Sequence, residues 1–158
     1  MGEFIFNKLN PAEGIPYELL LLADETVEAI NQYIFSADIY TLNDGIQDIA
    51  VMALHKNSET ELELKNIAVI DSFRNIGIGS ILIDKAKEIA RLGHYSSLLV
   101  GTSDTGIQQI RFYEKNGFVK KEVRKDFFVK NYPFPIYENG MQIRDMIILE
   151  FLTHHLSE

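Results

Sequence analysis

The residues best placed to do chemistry lie between 66 and 80, where the chain reads Asn66-Ile67-Ala68-Val69-Ile70-Asp71-Ser72-Phe73-Arg74-Asn75-Ile76-Gly77-Ile78-Gly79-Ser80. An apolar strand runs through a short turn into a helix, an arrangement suited to holding phosphate. Gly77 and Gly79 let the backbone come close to a ligand. The unpaired amides of a helix start point outward, its dipole adds partial positive charge, and Arg74 supplies a full one. Two well-known phosphate loops fail on these residues. A P-loop requires Lys and then Ser or Thr after its second glycine, but Gly79 is followed by Ser80 and Ile81. A dinucleotide fingerprint requires a third glycine where Leu82 stands. What remains is Arg-x-x-Gly-x-Gly between a strand and a helix.

Just upstream, Glu61 and Glu63 alternate with Leu62 and Leu64, so both carboxylates lie on one face of a strand, which they share with Lys65. That face is either a source of general bases or a solvated edge. The four histidines, His55, His94, His154 and His155, show no i, i+4 metal spacing, and with no cysteine in the chain neither a thiolate metal site nor a disulfide can form. The terminal histidine pair reads as a frayed tail, and no metal is expected.

Elements that position these residues follow from periodicity. Residues 3–9 alternate as a strand, and Pro11, Gly14 and Pro16 then break the chain. Apolar positions recur at helical spacing over 17–34, as two helices or one kinked helix, with Asp24 a candidate N-cap between them. Three β-like runs follow at 36–41, 47–56 and 61–70, separated by Asn43-Asp44-Gly45 and Asn57-Ser58, as in an antiparallel meander. Residues 79–92 form an amphipathic helix with Ile81, Leu82, Ala86, Ile89 and Ala90 inward and Gly93 as its stop. A strand at 97–102, a helix at 107–116 ended by Gly117, and strands at 118–129 and 144–152 complete a mixed α/β order.

A chain of 158 residues fits one domain, 1–158, and 46% hydrophobic with 24% charged residues is the balance of a globular protein. The net charge of −8, from 15 basic and 23 acidic residues, disfavours nucleic acid and anionic membranes as partners, favours a cationic ligand, and also suits simple solubility. No stretch reaches the roughly 20 apolar residues of a membrane span, and Met1-Gly2-Glu3-Phe4 begins no targeting signal. A cytoplasmic location is expected.

Arg74-Asn75-Ile76-Gly77-Ile78-Gly79 resembles the pyrophosphate-binding motif of the GNAT superfamily of N-acetyltransferases. Phe112-Tyr113-Glu114-Lys115-Asn116-Gly117-Phe118 resembles that family's Tyr-x-x-x-Gly-Phe element, in order and at compatible spacing. The resemblance is close over 61–119. It implies an α/β (α+β) fold with a mixed, mostly antiparallel sheet flanked by helices and splayed between the fourth and fifth strands. It also implies acetyl-CoA as co-substrate, without a metal. Ile67, Ala68 and Val69 would pair with the pantetheine arm, and Arg74, Asn75, Ile76, Gly77, Ile78, Gly79 and Ser80 would hold the diphosphate.

By the same resemblance Glu63 matches the position of a general base, with water as the alternative, and Tyr113 matches the proton donor to the departing thiolate, for which a phenol of pKa near 10 is suited. The Val69 amide would polarise the thioester carbonyl. Many relatives have an asparagine at the start of the fourth helix where this chain reads Ser103-Asp104-Thr105-Gly106. Asp104 either substitutes for it in holding the cofactor or is the helix N-cap. The aromatic, proline-bearing segment 127–140 would shape the acceptor pocket, making Tyr132, Tyr137 and Glu138 candidates for binding an amine. A packed loop or a homodimer contact would look the same. The expected activity is acetyl transfer to a small cationic amine in a ternary complex. The alternatives are a CoA-binding sensor without turnover and a protein or peptide N-terminal acetyltransferase.

Overall fold

The computed structural model describes residues 3–153, so the His154-His155 pair lies outside the described residues. Seven strands form one sheet in the order β1-β2-β3-β4-β5-β9-β6. They are β1 (Ile5–Lys8), β2 (Ala37–Asn43), β3 (Asp48–Lys56), β4 (Glu61–Val69), β5 (Ser97–Ser103), β6 (Val119–Arg124) and β9 (Met146–Leu152). A separate hairpin joins β7 (Ile136–Glu138) to β8 (Met141–Ile143). Every neighbouring pair is antiparallel except β4 and β5. The expected mixed, mostly antiparallel sheet is therefore found.

β3 is fully buried from Ile49 to Ala53 because helices cover both faces of the sheet. On one face, α3 (Ile78–Leu92) and α4 (Ile107–Lys115) pack Leu82, Ile83, Ala86, Ile110 and Tyr113 against Leu54, Leu62, Leu64 and Leu98. On the other, α1 (Tyr17–Leu20) and α2 (Val27–Asn31) bring Leu20 and Ile30 onto Val51, Ala53 and Ala68. Each fully buried Leu or Ile removes enough apolar surface to contribute about 1.5–3 kcal/mol. The inward stripe of α3 is Ile78, Leu82, Ile83, Ala86 and Ala90, whereas Ile81, expected inward, is 37% exposed.

Two irregularities of β4 shape the middle of the sheet. The strand pairs with β3 through Ala53↔Asn66 and then Leu54↔Leu64, so Lys65 is an extra residue in a bulge. The bulge changes the phase of alternation. Leu62, Leu64, Ile67 and Val69 contact the α3 side, while Asn66 and Ala68 join the α1 side, opposite to Leu62 and Leu64. The second irregularity is the ladder between β4 and β5, which covers Glu61↔Ser97 to Leu64↔Val100 and stops, although β4 continues to Val69 and β5 to Ser103.

Four expectations are corrected. The N-cap of α2 is Thr26, whose hydroxyl accepts from the Ala29 amide at 3.0 Å, not Asp24. Asp104 does not cap α4. Gly106 stands at that position with no side-chain bond, and the Asp104 carboxylate accepts from the Arg144 amide at 3.2 Å. The strand expected over 118–129 ends at Arg124, because Asp126 turns the chain with φ 56° into α5 (Phe127–Asn131). The segment expected as one long loop contains α5 and the β7–β8 hairpin, whose turn residues Asn139 and Gly140 both have positive φ.

The two glycines of the loop differ in why they are needed. Gly77 has φ +91° and open space around a notional Cβ, so its constraint is conformational. A Cβ on Gly79 would lie 3.1 Å from the Phe112 ring, so this glycine lets α3 pack on α4. Gly79→Val should therefore lower stability by about 1–3 kcal/mol even without any ligand. Urea denaturation of the apo protein checks this, and an unchanged midpoint would contradict the packing role.

Candidate active site

The mouth of α3 carries the first part of the site. Its first intrahelical bond is from the Ile81 amide to the Gly77 carbonyl at 3.1 Å, so the Ile78, Gly79 and Ser80 amides have no acceptor within the helix. Asn75 with φ 64° and Gly77 with φ 91° turn the chain into the helix. Arg74 is half-exposed beside this mouth, and its Nε donates to the Val69 carbonyl at 3.1 Å while its guanidinium pairs with Asp71 at 3.4 Å. The motif residues Arg74 to Ser80 are thereby gathered around a set of donors that suits an anion. Next to them, Ile67, Ala68 and Val69 lie on the part of β4 that has no partner in β5, so the donor set and an unpaired strand edge adjoin.

Glu63 sits one residue before the end of the shared ladder, opposite Leu99, and is 6% exposed. Asn57 Nδ2 donates to its Oε1 at 2.9 Å, and the Lys65 ammonium lies 3.5 Å from its Oε2. Lys65 also lies over the Tyr33 ring, 5.5 Å from the centroid. Glu61, the weaker candidate by sequence, shares the same Asn57 amide at 2.9 Å.

Tyr113 faces the α3 side among Phe112 and Phe118, with ring centroids 5.2 and 5.7 Å away, and is 6% exposed. Burial pushes its phenol above the ordinary range, so it is a neutral donor at physiological pH.

Among the acceptor-side candidates, Tyr132 donates to Asp24 Oδ1 at 3.2 Å and stacks on Phe128 at 5.7 Å. Asp24 Oδ2 in turn accepts from Tyr33, also at 3.2 Å. Asn66 Nδ2 donates to the Tyr33 hydroxyl at 3.1 Å and to the Leu20 carbonyl at 3.0 Å, which leaves its buried Oδ1 without a partner among the described residues. Tyr132 and Tyr137 line a pocket with Glu25, Thr26, Phe134 and Ile136. The carboxylate of Glu138 is engaged elsewhere, accepting from Ser103 at 2.9 Å and Thr105 at 3.2 Å, where it fastens the β7–β8 hairpin to the end of β5.

Sequence reasoning misses Asp24, Tyr33, Asn57 and Asn66 as functional candidates. A polar Asn66 within an apolar run is a visible signal, whereas nothing local marks Asp24 as the link between two phenols. Burial raises Tyr33 and Tyr132 as well, with the neighbouring Asp24 charge adding to each, and it raises Tyr40. Folded phenols then hold protons that the unfolded chain releases above its pKa of about 10. Stability contributed by these groups is complete below that pH and lost as pH rises through the folded values. Urea midpoints should fall above pH of about 10, and less steeply in Tyr113→Phe. A pH-independent midpoint there would contradict the burial.

The sequence family described as the acetyltransferase (GNAT) domain matches residues 35–120. A GNAT family acetyltransferase from Elizabethkingia anophelis, solved with acetyl-CoA bound, is 37% identical and superposes with a TM-score of 0.91 over 94% of this chain and 97% of that one. An IAA acetyltransferase from Bacillus cereus is 35% identical with a TM-score of 0.88 over 95% of this chain and 99% of its own. An uncharacterized N-acetyltransferase of Bacillus subtilis, YvbK, is 35% identical over 133 residues, 84% of this chain and 86% of that protein. With its loop, its interrupted β4–β5 ladder and these relatives in agreement, the chain belongs to the GNAT superfamily and is an acetyl-CoA-dependent N-acetyltransferase.

Proposed function

We propose that the protein transfers the acetyl group of acetyl-CoA directly to the amine of a small cationic acceptor in a ternary complex. The observation that carries this reading is a buried carboxylate, Glu63, one residue before the β4–β5 ladder ends, whose Lys65 partner lies over the Tyr33 ring that is bonded to Asp24. An ammonium is attracted both by carboxylates and by aromatic faces. The net charge of −8 draws cations toward the whole molecule. A cytoplasmic location belongs to the same proposal. No described helix is long and apolar enough to cross a membrane.

In this reading the diphosphate rests on the amides of Ile78, Gly79 and Ser80 beside Arg74, and the pantetheine arm adds to the free edge at Ile67 to Val69. Acetyl-CoA supplies the thioester. The acceptor ammonium gives its proton to Glu63, directly or through water, and the free amine attacks the carbonyl carbon. The Val69 amide stabilises the developing oxyanion. The carbon–sulfur bond breaks, Tyr113 protonates the departing thiolate, and the second proton of the attacking nitrogen, lost as the amide forms, returns the phenol to its neutral form through water. Tyr132 and Tyr137 hold the body of the acceptor. Among the described residues no group of His, Asp and Glu could hold a metal ion, and none is needed for these steps.

Thiol release from acetyl-CoA against polyamines, aminoglycosides, amino acids and peptide N-termini tests the proposal. Turnover is expected with small cationic amines. Tyr113→Phe should lower kcat by about 100-fold with CoA affinity retained. Asp24→Asn should raise KM for a cationic acceptor by about tenfold with kcat less affected. CoA binding without turnover of any amine would instead assign a sensor, and exclusive turnover of peptides would assign an N-terminal acetyltransferase.

A further inference from the structure

The carboxylates of Glu61 and Glu63 are held by a single side-chain amide. Asn57 lies in the turn between β3 and β4, closed by its backbone amide donating to the Glu61 carbonyl at 2.9 Å. Its Nδ2 donates to Glu61 Oε2 and to Glu63 Oε1, both at 2.9 Å. A primary amide nitrogen has two protons, so each carboxylate receives one. The orientation of the amide is thereby fixed, because turning it over would set an oxygen against two carboxylate oxygens. Its Oδ1 then faces His55 Nδ1 at 2.8 Å, and since that oxygen only accepts, Nδ1 must carry a proton. His55 is also the residue of β3 in register with Glu63.

We propose that Asn57, with its amide oriented by His55, is a positioning residue that holds the Glu63 carboxylate in a single orientation for its work as general base. The proposal rests on the reading of Glu63 given above, yet it concerns different residues and has its own readout. The polar neighbours of Glu63 are Lys65 on its own strand, Glu61 through the shared amide, and His55 across the ladder. Beyond them Lys121 of β6 lies 4.0 Å from Glu61 and 3.2 Å from Glu150 of β9. Removing the Asn57 amide takes away a donor to the ionised carboxylate and leaves two like charges with nothing between them. Both effects free the Glu63 carboxylate to leave that orientation, so the base no longer meets its proton in one place.

Carbon-13 NMR of the glutamate carboxyl groups, assigned with Glu63→Gln, measures this without any acceptor. In Asn57→Ala the Glu63 carboxyl resonance should shift and broaden as the carboxylate leaves its single hydrogen-bonded orientation. Nitrogen-15 spectra of the native protein should show His55 in the Nδ1–H form, which keeps the idea testable even if Asn57→Ala folds poorly. An unmoved Glu63 resonance, or a His55 proton residing only on Nε2, overturns the proposal. With an amine that is turned over, kcat should fall about tenfold in Asn57→Ala with KM retained, and the substitution should cost nothing further in Glu63→Gln. Equal losses in both backgrounds would reduce Asn57 to a turn residue. Full activity of Glu63→Gln would instead refute the base assignment, a separate failure that the carboxyl spectrum does not share.

Discussion

The parallel ladder between β4 and β5 runs for four residue pairs and then stops, and the rest of the structure depends on that interruption. Backbone amides and carbonyls left unpaired in a sheet must find other partners or water. Here Ile67 to Val69 of β4 pair with β3 on one side only, and their uncovered edge leads toward the mouth of α3, where three more amides lack intrahelical acceptors. In the proposed reading, a ligand with an amide-bearing arm and a diphosphate head satisfies both sets together. That is a geometric account of why a GNAT chain uses acetyl-CoA, and it needs only one charged side chain, Arg74, which is anchored to the Val69 carbonyl.

The bulge at Lys65 is the second consequence of the same strand. By changing the phase of alternation it keeps Leu62, Leu64, Ile67 and Val69 all on the α3 face, though they fall into two pairs three residues apart. It also directs Asn66 to Tyr33 and the Leu20 carbonyl, so the α1 side is tied to β4 by polar contacts as well as by the packing of Ala68. Asp24 and Tyr33, on either side of α2, then join Tyr132 and Asn66, two distant parts of the chain, over the same face. Rigid placement of rings and carboxylates there costs little reorganisation when a ligand enters.

Much of this is legible in the sequence, and the reasons are local. Helix α3 announces itself by apolar spacing and by Gly93, and the Arg74-x-x-Gly77-x-Gly79 loop by its glycines. The shift from Leu62 and Leu64 to Ile67 and Val69 also marks the bulge, a signal that simple alternation passes over. Other features depend on contacts that no local pattern encodes. Tyr132 and Asp24 are 108 residues apart, and Glu138 meets Ser103 and Thr105 only because the hairpin folds back over β5. Asp104 has the composition of a cap, yet the chain places Gly106 at that position and gives Asp104 to the Arg144 amide. Gly79 suggests room for a ligand, while its neighbour across the helices is the Phe112 ring.

The central claim is that two neighbouring sets of backbone groups, the edge of β4 at Ile67 to Val69 that β5 leaves uncovered and the first-turn amides of α3, together form the acetyl-CoA site. Amide NMR during titration with CoA tests it most directly. The largest shifts should fall on Ile67 to Val69 and on Gly77 to Ser80, with β1 and β2 unaffected. Saturable CoA binding that leaves those amides unmoved would contradict it.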